Sequence, residues 1–421
     1  MQSTLLEKDL QYIWHPFTPQ KNSGAVIPIV KGKATLLYSE DGKSYIDAIS
    51  SWWVTLHGHA HPYIAEKLYE QALTLEQVIF AGFTHKPAVE LAERLLPLLP
   101  GAMAKIFYSD NGSTSTEVAI KMSIQYWWNK GETHRNKILA FNNSYHGDTF
   151  GAMSVSDRSV FTLAFHNKLF EVIFIDTPSE GNIDELKTKI NQHANEVAAF
   201  IYEPLVQGAG GMKMYDAALM NELLVAVQSH DIICIADEVM TGFGRTGKLF
   251  SSEHMSSKPD IFCLSKGLTG GTMPLGVTAC SKRIHDAFVV DDKLKTFFHG
   301  HSFTANPLAC TTALASLDLL LKEECLQQIQ WITKQNETFC KELGNTKGIK
   351  NVRQLGTIPA FEIDNGNDEY LNNISHKVTS YCLERGVYIR PLGNTVYLMP
   401  PYCITSEELD KVYSVVLDFL R

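Results

Sequence analysis

The sequence predicts an α/β fold: a mostly parallel sheet wrapped by helices, joined to a smaller α+β domain. From about residue 59 to 310, short apolar runs of strand length alternate with helical stretches, the pattern of a sheet buried on both faces. After about residue 320 the texture changes to long polar helices with short strands between them. A chain of 421 residues, 45% hydrophobic and 20% charged, is large enough for one big domain and an appendage. The expected division is an N-terminal segment, 1–55, that joins the small domain; a large domain, 56–315; and a C-terminal small domain, 316–421.

In chain order, "MQSTLLEKDLQYIWHP" carries Glu7, Lys8 and Asp9 where a signal peptide needs an apolar run. No charge-free stretch approaches membrane-spanning length, so a cytoplasmic protein is expected. "WWVTLHGHAHP" sets His57, His59 and His61 at alternate positions; without a second cluster this reads as a turn before a helix rather than a metal site. Trp52 and Trp53 cannot both pack easily into one core, so they either share core and interface burial or line a pocket for an aliphatic chain. "AVELAERLLPLL" puts Val89, Ala92, Leu95 and Leu99 on one helical face. "AKIFYSD" is a strand, and "STEVAIKMSIQYWW" a helix with Val118, Met122 and Tyr126 on one face. "KILAFN", "EVIFID", "AAFIYEP", "IICIADE", "DIFCLSK" and "LGVTACS" read as further buried strands. The stretches "NIDELKTKINQH" and "AALMNELLVAVQSH" are the helices between some of them, and "IPAFEID" and "TVYLMPP" are strands of the small domain.

A formal net charge of -9 argues against nucleic acid or anionic membranes as partners, since neutralising phosphates needs a basic face. Eight scattered cysteines without a C-x-x-C pair read as buried free thiols.

Chemistry concentrates at the ends of the apolar runs, where open parallel sheets place their ligands. "FCLSKGLTGG" sets Lys266 after a buried strand; a desolvated lysine there suits Schiff-base chemistry, while a surface lysine is the plain alternative. "ICIADEVMTGFG" ends on Asp237 and Glu238, carboxylates that are costly unless a cation or a cap meets them. A protonated pyridine nitrogen is one such cation. "YSDNGSTSTEVAIK" offers Gly112, Ser113 and Thr114 at a helix start, fitted to an anion and equally to a capping box with Glu117. "GFGRTGKLF", Gly242 to Phe250, imitates a nucleotide phosphate loop but has Leu249 where the magnesium-binding Ser or Thr belongs. It reads instead as a turn that brings Arg245 back towards a site.

With Lys266, Asp237, the Gly112–Ser113 turn and "SYHGDT" in one chain, the sequence resembles the fold-type I, class III pyridoxal-phosphate aminotransferases over essentially its whole length. The resemblance implies a seven-stranded sheet in the large domain, pyridoxal 5'-phosphate as cofactor, two successive half-reactions, and a homodimer whose active sites are shared. It implies that Lys266 carries the cofactor and moves the proton, that Asp237 pairs with the pyridine nitrogen, and that Val239 and Tyr145 cover the two ring faces. Gly112 and Ser113 would hold the phosphate, with Ser302 reaching across from the other subunit.

"WHPFT", "WWVTLHGHAHP" and "IRPLGNTVYLMPPY" are similar to the members that aminate 8-amino-7-oxononanoate in biotin synthesis with S-adenosylmethionine as donor. That likeness implies Arg390 on the substrate carboxylate, Trp52 and Trp53 along its chain, and Asp148 at the donor ammonium. It also implies Phe17, Tyr145 and Gly300 as neighbours of the substrate. Phe17 stands where such members carry Tyr, and Gly300-His301-Ser302 where they read Gly-Pro-Thr. His301 is similar to members that draw the amine from lysine, so both donors stay open. A class III transaminase of diamines or ω-amino acids is the remaining alternative.

Overall fold

The computed structural model describes residues 4–21, 26–364 and 373–421. Seven strands build the central sheet: β1 (Met103–Ser109), β2 (Lys137–Phe141), β3 (Val172–Ile175), β4 (Val197–Tyr202), β5 (Ile233–Asp237), β6 (Ile261–Leu264) and β7 (Gly276–Ser281). Their order is β1-β7-β6-β5-β4-β2-β3. β7 runs antiparallel to both neighbours, and the pairings from β6 to β3 are parallel. The link from β6 to β7 holds only the short 3-10 turn Lys266–Thr269, too little for the helical crossover that a parallel return requires.

Alternate residues of the inner strands enter opposite cores. Leu139, Phe141, Phe200, Tyr202, Cys234 and Ala236 pack on one face; Ile138, Ala140, Ala199, Ile201, Ile233 and Ile235 pack on the other. Apolar side chains on both faces explain why these strands read as continuous hydrophobic runs. Val118, Met122 and Tyr126 are buried on helix α1 (Gly112–Asn129). The helix Lys86–Leu95 is rotated from the expected face: Ala88, Leu91 and Leu95 are buried, whereas Val89 is 53% exposed. A tighter 3-10 turn with Pro97 at its centre, Leu96–Leu98, follows and carries Leu99 into the core without continuing the 3.6-residue face.

Beyond this domain, strands Ile29–Lys33, Leu36–Ser39 and Ser44–Asp47 form an antiparallel ribbon. Val387–Tyr388 adds to its edge in parallel, so the first fifty residues and the last forty share one sheet. Ile349–Leu355, Ile358–Ile363 and Thr395–Tyr397 make a second small sheet. Hydrogen bonds from Met399 N to Ala48 O (2.8 Å) and from Tyr402 N to Leu56 O (2.7 Å) continue the stitching. Among the described residues, no helix is long and apolar enough to cross a membrane.

Candidate active site

A cavity of about 520 Å³ opens beyond the carboxyl ends of β1, β5 and β6. Each of these strands delivers one functional group to it.

Asp237, the last residue of β5, is 4% exposed. Its Oδ1 accepts from Val239 N (3.0 Å), and its Oδ2 lies 2.7 Å from His146 Nδ1. Glu238, one residue on, has a different fate. It accepts hydrogen bonds from Thr241 Oγ1 (3.0 Å) and from the amides of Ser251 (2.9 Å) and Ser252 (2.7 Å), and so caps the turn Ser251–His254. Of the two adjoining carboxylates only Asp237 lines the cavity.

Lys266 follows β6 and opens the 3-10 turn with φ 46°, a left-handed conformation that a non-glycine residue adopts only where its surroundings enforce it. Its Nζ stands 5.0 Å from the centre of the Trp53 ring. Burial lowers its pKa, while the charges of Asp237 and Glu203 pull the other way. The net lowering enlarges the neutral amine fraction that can attack a carbonyl.

The start of α1 follows β1. The capping box expected from Ser113 or Thr114 with Glu117 is not the one formed. Asn111 is the cap, its Oδ1 accepting from Thr114 N (2.9 Å). Glu117 instead accepts from Thr149 Oγ1 (2.5 Å), Gly151 N (2.7 Å) and Ala152 N (3.0 Å), holding the start of the next helix, Phe150–Val155. The cap therefore sits two or three residues earlier, and Gly112 and Ser113 face the cavity at the positive end of α1. The backbone is crowded there. A β-carbon at Gly112 would lie 2.7 Å from Val239 Cγ1, and one at Gly147 would lie 2.1 Å from Ser113 Oγ.

The two tryptophans divide. Trp53 is 4% exposed and donates from Nε1 to Tyr397 Oη (2.8 Å), yet its ring still walls the cavity. Trp52 is 40% exposed at the mouth. There Arg390 lies over its ring at 5.0 Å, and Phe17 meets it edge-on at 5.4 Å between centroids. Tyr145 lines the same cavity, and burial together with Asp148 raises its phenol pKa. Asp148 itself is exposed and lines an adjoining cavity of about 530 Å³.

Phe17, Trp52, Trp53, Gly112, Ser113, Tyr145, Asp237, Val239 and Lys266 thus converge on one space. Arg390 and Asp148 stand at its border. Gly300 and Ser302 lie outside it on exposed chain, where Ser302 O accepts from Gln77 Nε2 (2.6 Å). Arg245 does not turn towards the cavity. It is 1% exposed and donates to Pro400 O (3.0 Å) and Trp53 O (3.4 Å), bracing the wall from behind. The three alternate histidines go separate ways: His57 to Ser316 Oγ (3.1 Å) and His59 to Asp47 Oδ2 (2.9 Å), while His61 precedes the helix Pro62–Ala72 without a side-chain bond to its amides.

Two site residues escaped the sequence reading, His146 and Glu203. Glu203 follows β4 and is 5% exposed; its Oε1 accepts from Tyr145 N (3.0 Å) and its Oε2 from Gly208 N (2.8 Å). Burial pushes its pKa up to about 7. The same signal that marks Asp237, a carboxylate closing an apolar run, was present in "AAFIYEP".

An anion cradle, a buried carboxylate and a desolvated lysine around one cavity fit an aromatic aldehyde bearing a phosphate and a basic ring nitrogen. Residues 17–420 match the family model described as Aminotransferase class-III, and the chain belongs to the class III aminotransferases. An adenosylmethionine-8-amino-7-oxononanoate aminotransferase from Synechococcus elongatus is 45% identical over 419 residues, covering 97% of this chain and 98% of that protein. The crystal structure of an enzyme of that name from Methanocaldococcus jannaschii superposes with a TM-score of 0.94 at 34% identity, covering 98% of each chain. A PLP-bound amine transaminase from an uncultivated Pseudomonas species gives a TM-score of 0.91 at 30% identity, covering 97% of this chain and 98% of that one.

Proposed function

We propose that this chain aminates 8-amino-7-oxononanoate to 7,8-diaminononanoate, with S-adenosylmethionine as amino donor, in biotin synthesis. The observation that carries the reading is the convergence of Lys266, Asp237 and the Gly112–Ser113 turn on one cavity walled by Trp52, Trp53 and Phe17. Relatives of that name, alike over nearly their full length, support the acceptor and the donor. Pyridoxal 5'-phosphate is the cofactor; when bound it supplies an aldehyde that takes up an amine and a ring that withdraws electrons from the neighbouring carbon.

The amides of Gly112 and Ser113, with the Ser113 hydroxyl, bind the phosphate at the helix start. Asp237 accepts the hydrogen bond of the ring N–H, oriented by Val239 N and His146 Nδ1. Lys266 takes and returns the substrate proton at Nζ, a task suited to an amine whose pKa burial has lowered. Trp52, Trp53 and Phe17 exclude water along the aliphatic chain, and Arg390 pairs with its terminal carboxylate. Asp148, beside the Tyr145 hydroxyl, takes the donor ammonium. The chain works as a cytoplasmic homodimer in which Gly300 and Ser302 complete the partner's site. A lysine donor is the second reading, favoured by Phe17, which lends the cavity wall a ring but no hydroxyl.

Purified protein loaded with cofactor is to be incubated with 8-amino-7-oxononanoate and either S-adenosylmethionine or lysine. The expected result is diamine with S-adenosylmethionine, lost in Lys266→Ala. Diamine with lysine alone reassigns the donor, and no diamine with either refutes the acceptor.

A further inference from the structure

We infer that Glu203 receives the ammonium group that neighbours the reacting ketone carbon of the acceptor. The inference rests on the acceptor proposed above and extends it to a residue whose role the proposed chemistry leaves open.

A vicinal amino ketone reacts at a carbon one bond away from its own ammonium. If that carbon comes to Lys266, the ammonium comes to the surroundings of Lys266 as well. Two carboxyl groups act electrostatically on the Lys266 amine, Asp237 and Glu203, and both line the cavity. Asp237 is already engaged by His146 Nδ1 and Val239 N. Glu203 has only two neutral donors, one amide on each oxygen. A carboxylate has about four acceptor positions, so each of its oxygens keeps room for a further donor. Among the described residues it forms no ion pair.

The local geometry puts this free capacity beside the reacting centre. A β-carbon at Gly208 would lie 3.3 Å from the Trp53 ring and 3.5 Å from Glu203 Oε2, so the two flank one point. The Lys266 amine stands against that same ring. A carboxyl group this deeply buried without a cation is costly in the resting protein. An incoming ammonium supplies the missing charge at the moment of binding. Specificity for an amino ketone over a plain ketone then comes from a buried polar group that only the right substrate satisfies.

The test compares 8-amino-7-oxononanoate with 7-oxononanoate, the same ketone without the amine, in the second half-reaction of the aminated holoenzyme. The wild type should prefer the amino ketone in kcat/KM by about ten- to a hundredfold, the worth of one charge-assisted hydrogen bond. Glu203→Gln should remove most of that preference, slowing the amino ketone about ten- to a hundredfold more than it slows 7-oxononanoate. Equal use of both ketones by the wild type overturns the inference even if the variant fails to fold. An equal loss on both ketones in Glu203→Gln reduces the residue to a support for the Tyr145 loop and also overturns it. Turnover of neither ketone by the wild type refutes the acceptor itself, and this inference with it.

Discussion

Substituting Gly112 with alanine tests the cofactor cradle at its tightest point. The added β-carbon would lie 2.7 Å from Val239 Cγ1 and 3.3 Å from Cγ2, against an ordinary carbon contact of about 3.5–4.0 Å. Roughly 1 Å of movement is needed to reach that contact. Gly112 lies outside the left-handed region, so the cost is steric rather than conformational. Val239 cannot simply retreat: its amide is held by Asp237 Oδ1 at 3.0 Å, and a β-branched side chain resists rotation about χ1. Overpacking of this kind costs about 1–3 kcal/mol, which is about a five- to 150-fold loss of affinity if it falls on the cofactor-bound state. Titrating pyridoxal phosphate into apoprotein and following the protein fluorescence measures that loss. Removing both methyl groups in Gly112→Ala/Val239→Ala should relieve the clash and recover part of that loss. Wild-type affinity in the single variant, or a double variant no better than the single, would refute the reasoning.

Arg390→Ala should raise KM for 8-amino-7-oxononanoate about tenfold or more, with a smaller change in kcat, since a lost charge-assisted pair is worth about 1.5–3 kcal/mol. An unchanged KM would move the carboxylate site elsewhere. His57 is 8% exposed, and burial depresses its pKa to about 3. Its neutral form therefore stabilises the fold above the unfolded-state pKa, and that contribution is lost as pH falls from about 6.5 towards 3, with an upper bound of about 5 kcal/mol. His57→Gln should flatten the fall in stability over this window, measured by denaturant unfolding at several pH values; parallel curves for the two proteins would exclude His57 as the acid-sensitive group.

The inner strands of the central sheet were legible because they are buried on two faces, so hydrophobicity alone marks them. Lys266 and Asp237 were legible for the complementary reason: a charge at the end of such a run needs a partner. The small domain offered less. Ile349–Leu355 was missed because its residues are half-buried without alternation, and Arg353 within it owes its place largely to partners distant in sequence, the carbonyls of Met212 (2.7 Å) and Gly211 (2.6 Å) and the carboxylate of Glu362 (3.0 Å). The rotation of Lys86–Leu95 was equally hidden, since Val89 and Leu91 are both apolar and only the packing decides which faces inward. Glu117 fitted a capping box by spacing, but the box depended on where the helix begins, and Asn111 begins it earlier. His146 lies within "SYHGDT", but nothing local pairs it with Asp237, because that contact joins residues 91 apart in the chain.

The central claim is that one cavity runs both half-reactions, and the visible spectrum of the purified protein tests it most directly. The cofactor's yellow colour should bleach on adding S-adenosylmethionine and return on adding 8-amino-7-oxononanoate, with neither change in Lys266→Ala. A colourless protein that takes up no added pyridoxal phosphate, or a bleached one whose colour the acceptor does not restore, would contradict it.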